Sequence, residues 1–211
     1  MRLLLAAILV WAGVAHAQEP LPAPYEAALR DLRANRDGVA RAWAAVGLAQ
    51  GLRTAPAPGA HPRIIEGLRE SVTLDPDPTV RAMAAYGLCV LGEAAGVPPL
   101  VDVLKRLAAE GRDARDYFDA RVTVPVSYLY RALGVAGGRL AREFLVATAT
   151  GGTERGARVV AVSVFESAWT GDPEIDTLLR HLLTDREPGV RGAATWAIES
   201  RQRNRKTLPA R

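Results

Sequence analysis

One short string returns along this chain at a nearly constant interval, and that interval limits the folds open to it. Residues 75–89 read DPDPTVRAMAAYGLC and residues 185–198 read DREPGVRGAATWAI; each sets an acid-rich turn and a Pro (Pro78, Pro188) before a Val-Arg pair and a run of small residues. A third copy, NRDGVARAWAAVGLA at 35–49, aligns with the first at an offset of 40, Asp37 on Asp77, Arg41 on Arg81 and Gly47-Leu48 on Gly87-Leu88. Looser copies, VSYLYRALGVAG (126–137) and RVVAVSVFESAW (158–169), fill the gap. The equivalent positions 41, 81, 126, 158 and 191 lie 40, 45, 32 and 33 residues apart, which is the period of helical repeats.

Between the copies lies a second helical pattern. HPRIIEGLRESVTL (61–74), GVPPLVDVLKRLAAE (96–110), GGRLAREFLVATAT (137–150) and PEIDTLLRHLLTD (173–185) each carry aliphatic residues on one stripe, and PYEAALRDLRAN (24–35) opens the series. Each unit therefore pairs an Ala/Gly-rich first helix with a Leu/Ile-rich second one. Such a hairpin cannot bury both apolar stripes alone; it must stack on a copy of itself, so the sequence repeats because the interface repeats. Small residues such as Ala84, Ala85 and Gly87 allow close approach, and bulky aliphatics fill the layer between. Asp77 before Pro78 is expected to cap a helix, with Arg81 pairing either with Asp77 or with an acid of the adjacent unit. No stretch alternates with period two, although RVTVPV (121–126) is expected to be briefly extended.

The string D-x-D-P-x-V-R-x-x-A-A-x-x-L at 75–88, with its partial returns, resembles HEAT repeats, particularly the short bacterial kind named after bilin lyases. The resemblance covers residues 25 to about 203. It implies an all-α fold, an α-solenoid of about five helical hairpins wound as a right-handed superhelix, with the second helices lining the concave side. It specifies architecture strongly and chemistry hardly at all, since such repeats serve adaptors, lyases and nucleic-acid enzymes alike. The departures are the loop TAPAPGAHP (54–62) and the insertion GRDARDYFDA (111–120).

Residues 1–17, MRLLLAAILVWAGVAHA, combine a charged start at Arg2, an apolar run and a small-x-small site at Ala15-His16-Ala17, and read as a secretory signal peptide. The expected mature protein is exported to the periplasm or beyond, begins near Gln18 and has no transmembrane segment. A Pro-rich lead-in (18–24) would precede the repeat domain (25–203), and residues 204–211 would form a basic tail. The net charge of +4 comes entirely from ESRQRNRKTLPAR (199–211), so the body of the chain is balanced. Cys89 is the one cysteine, so packing rather than a disulfide must hold the fold, and its apolar setting predicts a buried, inert thiol.

His61 and His181 are the histidines beyond the leader, and with Cys89 they form neither a zinc pattern nor a nucleophile–base pair, so no catalytic, cofactor or metal residue is assigned. Asp113, Asp116 and Asp119 would share a face if the insertion were helical and could then meet a hard cation; the interleaved Arg112, Arg115 and Arg121 favour a salt-bridged surface instead. TGGTERG (150–156) lacks the ending of a phosphate loop and reads as an inter-repeat turn. The expected function is a non-enzymatic, exported module that docks or scaffolds another protein, with Arg63, Arg69, Lys105, Arg106, Arg142, Arg180 and His181 on the second helices as contact residues. The alternative is binding of an anionic polymer or membrane surface through the Arg-rich end; export argues against nucleic acid, and a lyase-type enzyme lacks a candidate acid, base or thiol.

Overall fold

The computed structural model describes residues 21–54, 62–112, 117–119, 121–152 and 154–207. Residues 1–17, read as a signal peptide with its cleavage site, lie outside them, as do His61, Asp113 and Asp116. Among the described residues the chain forms ten α-helices: α1 (Ala23–Ala34), α2 (Gly38–Thr54), α3 (Pro62–Leu74), α4 (Pro78–Val90), α5 (Val97–Ala109), α6 (Val126–Ala136), α7 (Gly138–Gly151), α8 (Arg155–Val164), α9 (Pro173–Leu182) and α10 (Pro188–Thr207). None of them is long and apolar enough to cross a membrane.

The helices form two layers. The small-residue helices α2, α4, α6, α8 and α10 pack in succession, each odd-numbered helix lies against the even-numbered helix that follows it, and within the odd layer α1 meets α3 and α5 meets α7. This is the all-α stack of helical hairpins that the repetition predicts. The even layer is tight because its side chains are short: a Cβ on Gly87 would stand 3.3 Å from the Ala45 carbonyl oxygen and 3.4 Å from Ala49 Cβ, so α4 seats its backbone almost on α2. Between the layers Leu32, Leu48, Ile64, Leu68, Met83, Leu88, Leu100 and Leu133 are essentially sealed from solvent. Leu21 is buried too, so the lead-in already contributes to the core.

The repeated string is a turn with a fixed hydrogen-bond plan. Asn35, Asp75 and Asp185 each accept, through a side-chain oxygen, the backbone N–H two residues on, at 2.9 Å in all three cases. Asp37 and Asp77 in turn accept from Val39 and Thr79, capping α2 and α4. The Arg of the Val-Arg pair folds back over the turn: Arg41, Arg81 and Arg191 donate through Nη1 to the carbonyls of residues 35 and 36, 75 and 76, and 185 and 186. Neither pairing open to Arg81, with Asp77 or with an acid of the adjacent unit, is formed among the described residues: Arg81 donates to the Asp75 and Pro76 carbonyls, and the Asp77 carboxylate is taken by its own helix terminus.

Among the described residues the end of the insertion is a strand. Tyr117–Asp119 (β1) pairs antiparallel with Val122–Pro125 (β2), Tyr117 opposite Pro125 and Asp119 opposite Val122, which realises the extended stretch read in RVTVPV. The shared helical face of three carboxylates is therefore not formed: Asp119 sits in a strand, where it accepts from the Thr79 hydroxyl at 2.8 Å and pairs with Arg121 at 3.0 Å. Phe118, Val122 and Val124 are buried, so alternation along the hairpin serves the core.

Candidate functional site

Several arginines of this protein hold neighbouring units together. Arg41 grips Asp75 of the next unit through two bonds, at 2.7 and 2.9 Å, and Arg158 does the same to Asp185 while also donating to the Ala149 carbonyl at 3.1 Å. Burial alone would raise the Asp75 carboxyl, but the bonds from Arg41, the Asp77 N–H and the charges of Arg41 and Arg81 outweigh it and hold the group below the ordinary carboxylate range. Bonds from Arg158 and the Glu187 N–H lower Asp185 in the same sense.

The second-helix residues expected to meet a partner divide into two groups. Arg63 pairs with Glu26, Arg69 with Glu93, Arg106 with Glu110, and Arg142 with Asp172 and Glu174. Lys105, Arg180 and His181 are exposed, and Arg180 donates to the Thr177 hydroxyl. The structure does not gather the seven into one cluster.

The Arg-rich end is also engaged. Up to Thr207 the stretch read as a tail continues α10. Arg201, only 3% exposed, donates to the carbonyls of Phe165, Ala168 and Trp169 beyond the end of α8 and to Asp176. It satisfies a cluster of outward carbonyls whose partial negative charge suits a cation, and it steadies Trp169, a non-glycine residue at φ 49°. Arg205 pairs with Asp176.

Cys89 is buried, and burial pushes its thiol up to about 12. Glu154 caps α8 by accepting from Gly156 and Ala157, so the stretch read as an inter-repeat turn joins the end of α7, which includes Thr150 and Gly151, to the start of α8. Among the described residues no three His, Cys, Asp or Glu side chains converge in a way that could hold a metal ion.

What the sequence reading passed over lies on the outer side of the even layer. Trp43, Tyr128, Val135 and Trp196 all stand exposed on these helices, Tyr128 at 47% and Val135 at 56%. Two cavities flank α6: one of about 200 Å3 toward α2 and α4, walled by Tyr86, Val90, Tyr128 and Ala132, and one of about 380 Å3 toward α8, walled by Gly134, Val164 and Glu166. Arg131 and Val135 line both. The cause is local: Ala132 and Gly134 keep the floor low, whereas Tyr128, Arg131 and Val135, spaced i, i+3, i+7, rise as one ridge. The signal was present in VSYLYRALGVAG, where these three fall off the buried stripe of Val126, Leu129, Tyr130 and Leu133.

The electrostatics of the furrow are asymmetric. Glu166 accepts from the Trp196 indole N–H at 3.0 Å, and Arg203 covers the Trp196 ring at 5.0 Å. Arg131 is exposed and has no hydrogen-bond or ion-pair partner among the described residues. No family model and no curated protein matches the chain.

Proposed function

We propose that this chain is an exported, non-enzymatic module of HEAT-like repeats that docks another protein on its stacked helices. The observation that carries the reading is the furrowed outer side of α6, where exposed Tyr128 and Val135 border cavities between successive helices. Apolar side chains held out by a rigid scaffold, beside concave space and a polar rim, have the anatomy of a recognition surface. The ion pairs of the other layer support the same reading indirectly. Residues such as Arg63 and Arg142 already have acid partners, which leaves Lys105, Arg180 and His181 as the remaining rim candidates on that side. The Arg-rich end offers an anionic surface fewer cations than its composition promises, since Arg201 is buried and Arg205 is paired.

The test is cross-linking of the tagged, secreted protein in its own periplasm or medium, followed by mass spectrometry. A defined protein should be recovered from the wild type and lost from Val135→Asp, with the helical circular dichroism of the two unchanged. Recovery of anionic polymer or lipid alone, released by salt, would replace the protein-docking reading with the electrostatic one.

A further inference from the structure

We infer that the furrow over α6 takes a peptide segment of a partner protein in which a carboxylate lies between apolar side chains, with the carboxylate on Arg131. This deepens the protein-docking reading and rests on it. Charge complementarity selects the occupant. Among the described residues two charged groups line the furrow: Glu166 lies on the α8 side only, where it accepts from the neutral Trp196 indole and keeps its charge, whereas Arg131 reaches both cavities and has no anionic partner, so the place for a carboxylate is on Arg131 toward α4. Its guanidinium can meet a carboxylate through two parallel bonds, a geometry that a lone hydroxyl or carbonyl does not offer. Toward α4 the wall is formed by Tyr86, Val90, Tyr128 and Ala132 with Gln50 at its edge, and Val135 stands on the crest; toward α8 the apolar Gly134, Val164 and Ala168 share the wall with Ser163, Glu166 and Ser167. A free anion would gain little from such walls, and a purely apolar segment would bury Arg131 unmatched.

The dimensions suit a short segment. Neighbouring helices pack roughly 8–10 Å apart, so the path from α4 across α6 to α8 spans about 20 Å. An extended peptide covers that in roughly six residues at about 3.3 Å each. Its carboxylate would fall near the middle, on the α4 side of the crest, with an apolar side chain entering the cavity on each side.

The experiment is selection of phage-displayed random dodecapeptides on the immobilised full-length mature chain, followed by fluorescence anisotropy of the recovered peptides. The expected peptides carry Asp or Glu flanked by Leu, Ile, Val or Phe. Their affinity should fall at least tenfold for Arg131→Glu, less for Arg131→Lys, and not at all for Lys105→Glu on the opposite layer. Replacing the acid by its amide in the peptide should abolish the difference between wild type and Arg131→Glu. Acid-bearing peptides that bind Arg131→Glu as well as wild type overturn the inference; if the same peptides are lost on Lys105→Glu, protein docking stands and only its place changes. If no peptide is enriched over the bare support, and labelled chitohexaose binds instead, both readings fall and the exposed aromatics belong to a carbohydrate surface.

Discussion

The two helix layers join neighbouring units by different means. In the even layer the junctions are closed at glycines: Gly87 of α4 lies against the α2 backbone at Ala45, and Gly134 of α6 lies against the Val164 side chain of α8, where a Cβ would stand 2.3 Å from Cγ1. In the odd layer the junctions are spanned by long charged side chains, Arg33 to Glu70, Arg63 to Glu26, and Arg142 to Asp172 and Glu174. Half-exposed pairs of this kind contribute about 0–1 kcal/mol each, whereas interdigitated buried residues contribute several-fold more. The stack is therefore held along its small-residue side, and the odd layer mainly sets alignment. Side chains that project outward from the even layer have no fixed neighbour beyond them, which is how Tyr128 and Val135 come to be exposed on the more rigid side.

The sharpest way to break this contrast is to remove bulk from the interlayer core and charge from the odd layer in parallel. Leu88, 1% exposed on α4, should cost on the order of 2–5 kcal/mol when cut to Ala, because the sealed stack cannot collapse into the space left behind. Arg33→Ala should cost less than about 1 kcal/mol, since Arg33 and Glu70 are both partly exposed. Urea melts with equal losses for the two would refute the division of labour between the layers.

Arg158→Ala comes next. This arginine is 6% exposed and links α8 both to Asp185 and to the Ala149 carbonyl. Its loss leaves a carboxylate and a carbonyl unmatched at a unit junction, and the expected cost is about 3 kcal/mol. Asp185 keeps its bond from the Glu187 N–H, which places the figure at the lower end for a broken buried pair. A cost near that of Arg33→Ala would show the turn-to-turn grip to be dispensable.

Acid provides a third test, directed at the turns. Asp75 and Asp185 are held below the ordinary carboxylate range in the folded protein. The unfolded chain, with carboxylates near 3.9, then binds protons first as the pH falls, so the stabilisation is complete above roughly pH 5 and is lost progressively as the pH drops below about 4. The melting temperature should be flat from neutral pH to about 5 and then decline, and Asp75→Asn should give a lower but shallower profile. A melting temperature that rose on acidification would contradict the linkage.

The architecture was legible in the sequence because a repeated interface requires repeated residues, and the spacing of Arg41, Arg81 and Arg191 follows the three superimposable turns. The role of those arginines was less legible. A sequence shows an acid four residues before Arg81 but not that its carboxylate is committed to the Thr79 N–H. Whether Asp119 stands on a helix or a strand was not legible, because interleaved charges look the same on both; burial of Phe118, Val122 and Val124 decides in favour of the hairpin, and the Asp119–Arg121 pair is of the salt-bridged kind that the interleaved arginines favoured. The furrow was missed because small residues signal close packing equally well whether the groove beside them is filled or open.

The smallest effect separates two kinds of glycine in the even layer. Gly47 and Gly87 occupy the same position in two copies of the repeat, but a Cβ on Gly47 would meet nothing within 4 Å. Gly47→Ala should therefore stabilise α2 by roughly 0.5–1 kcal/mol through the conformational freedom it removes from the unfolded chain. Gly134→Ala should act in the opposite direction, because the added methyl would strike the Val164 side chain at the α6–α8 contact and the backbones would have to part, at a cost of about 1–3 kcal/mol. That separation would also reshape the cavity Gly134 lines, so peptide capture at the furrow should weaken in Gly134→Ala and stay unchanged in Gly47→Ala. Thermal melts of the two variants shifting in the same direction would mean that the even layer has slack at its closest contact, and the account of why it carries the stack would have to be given up.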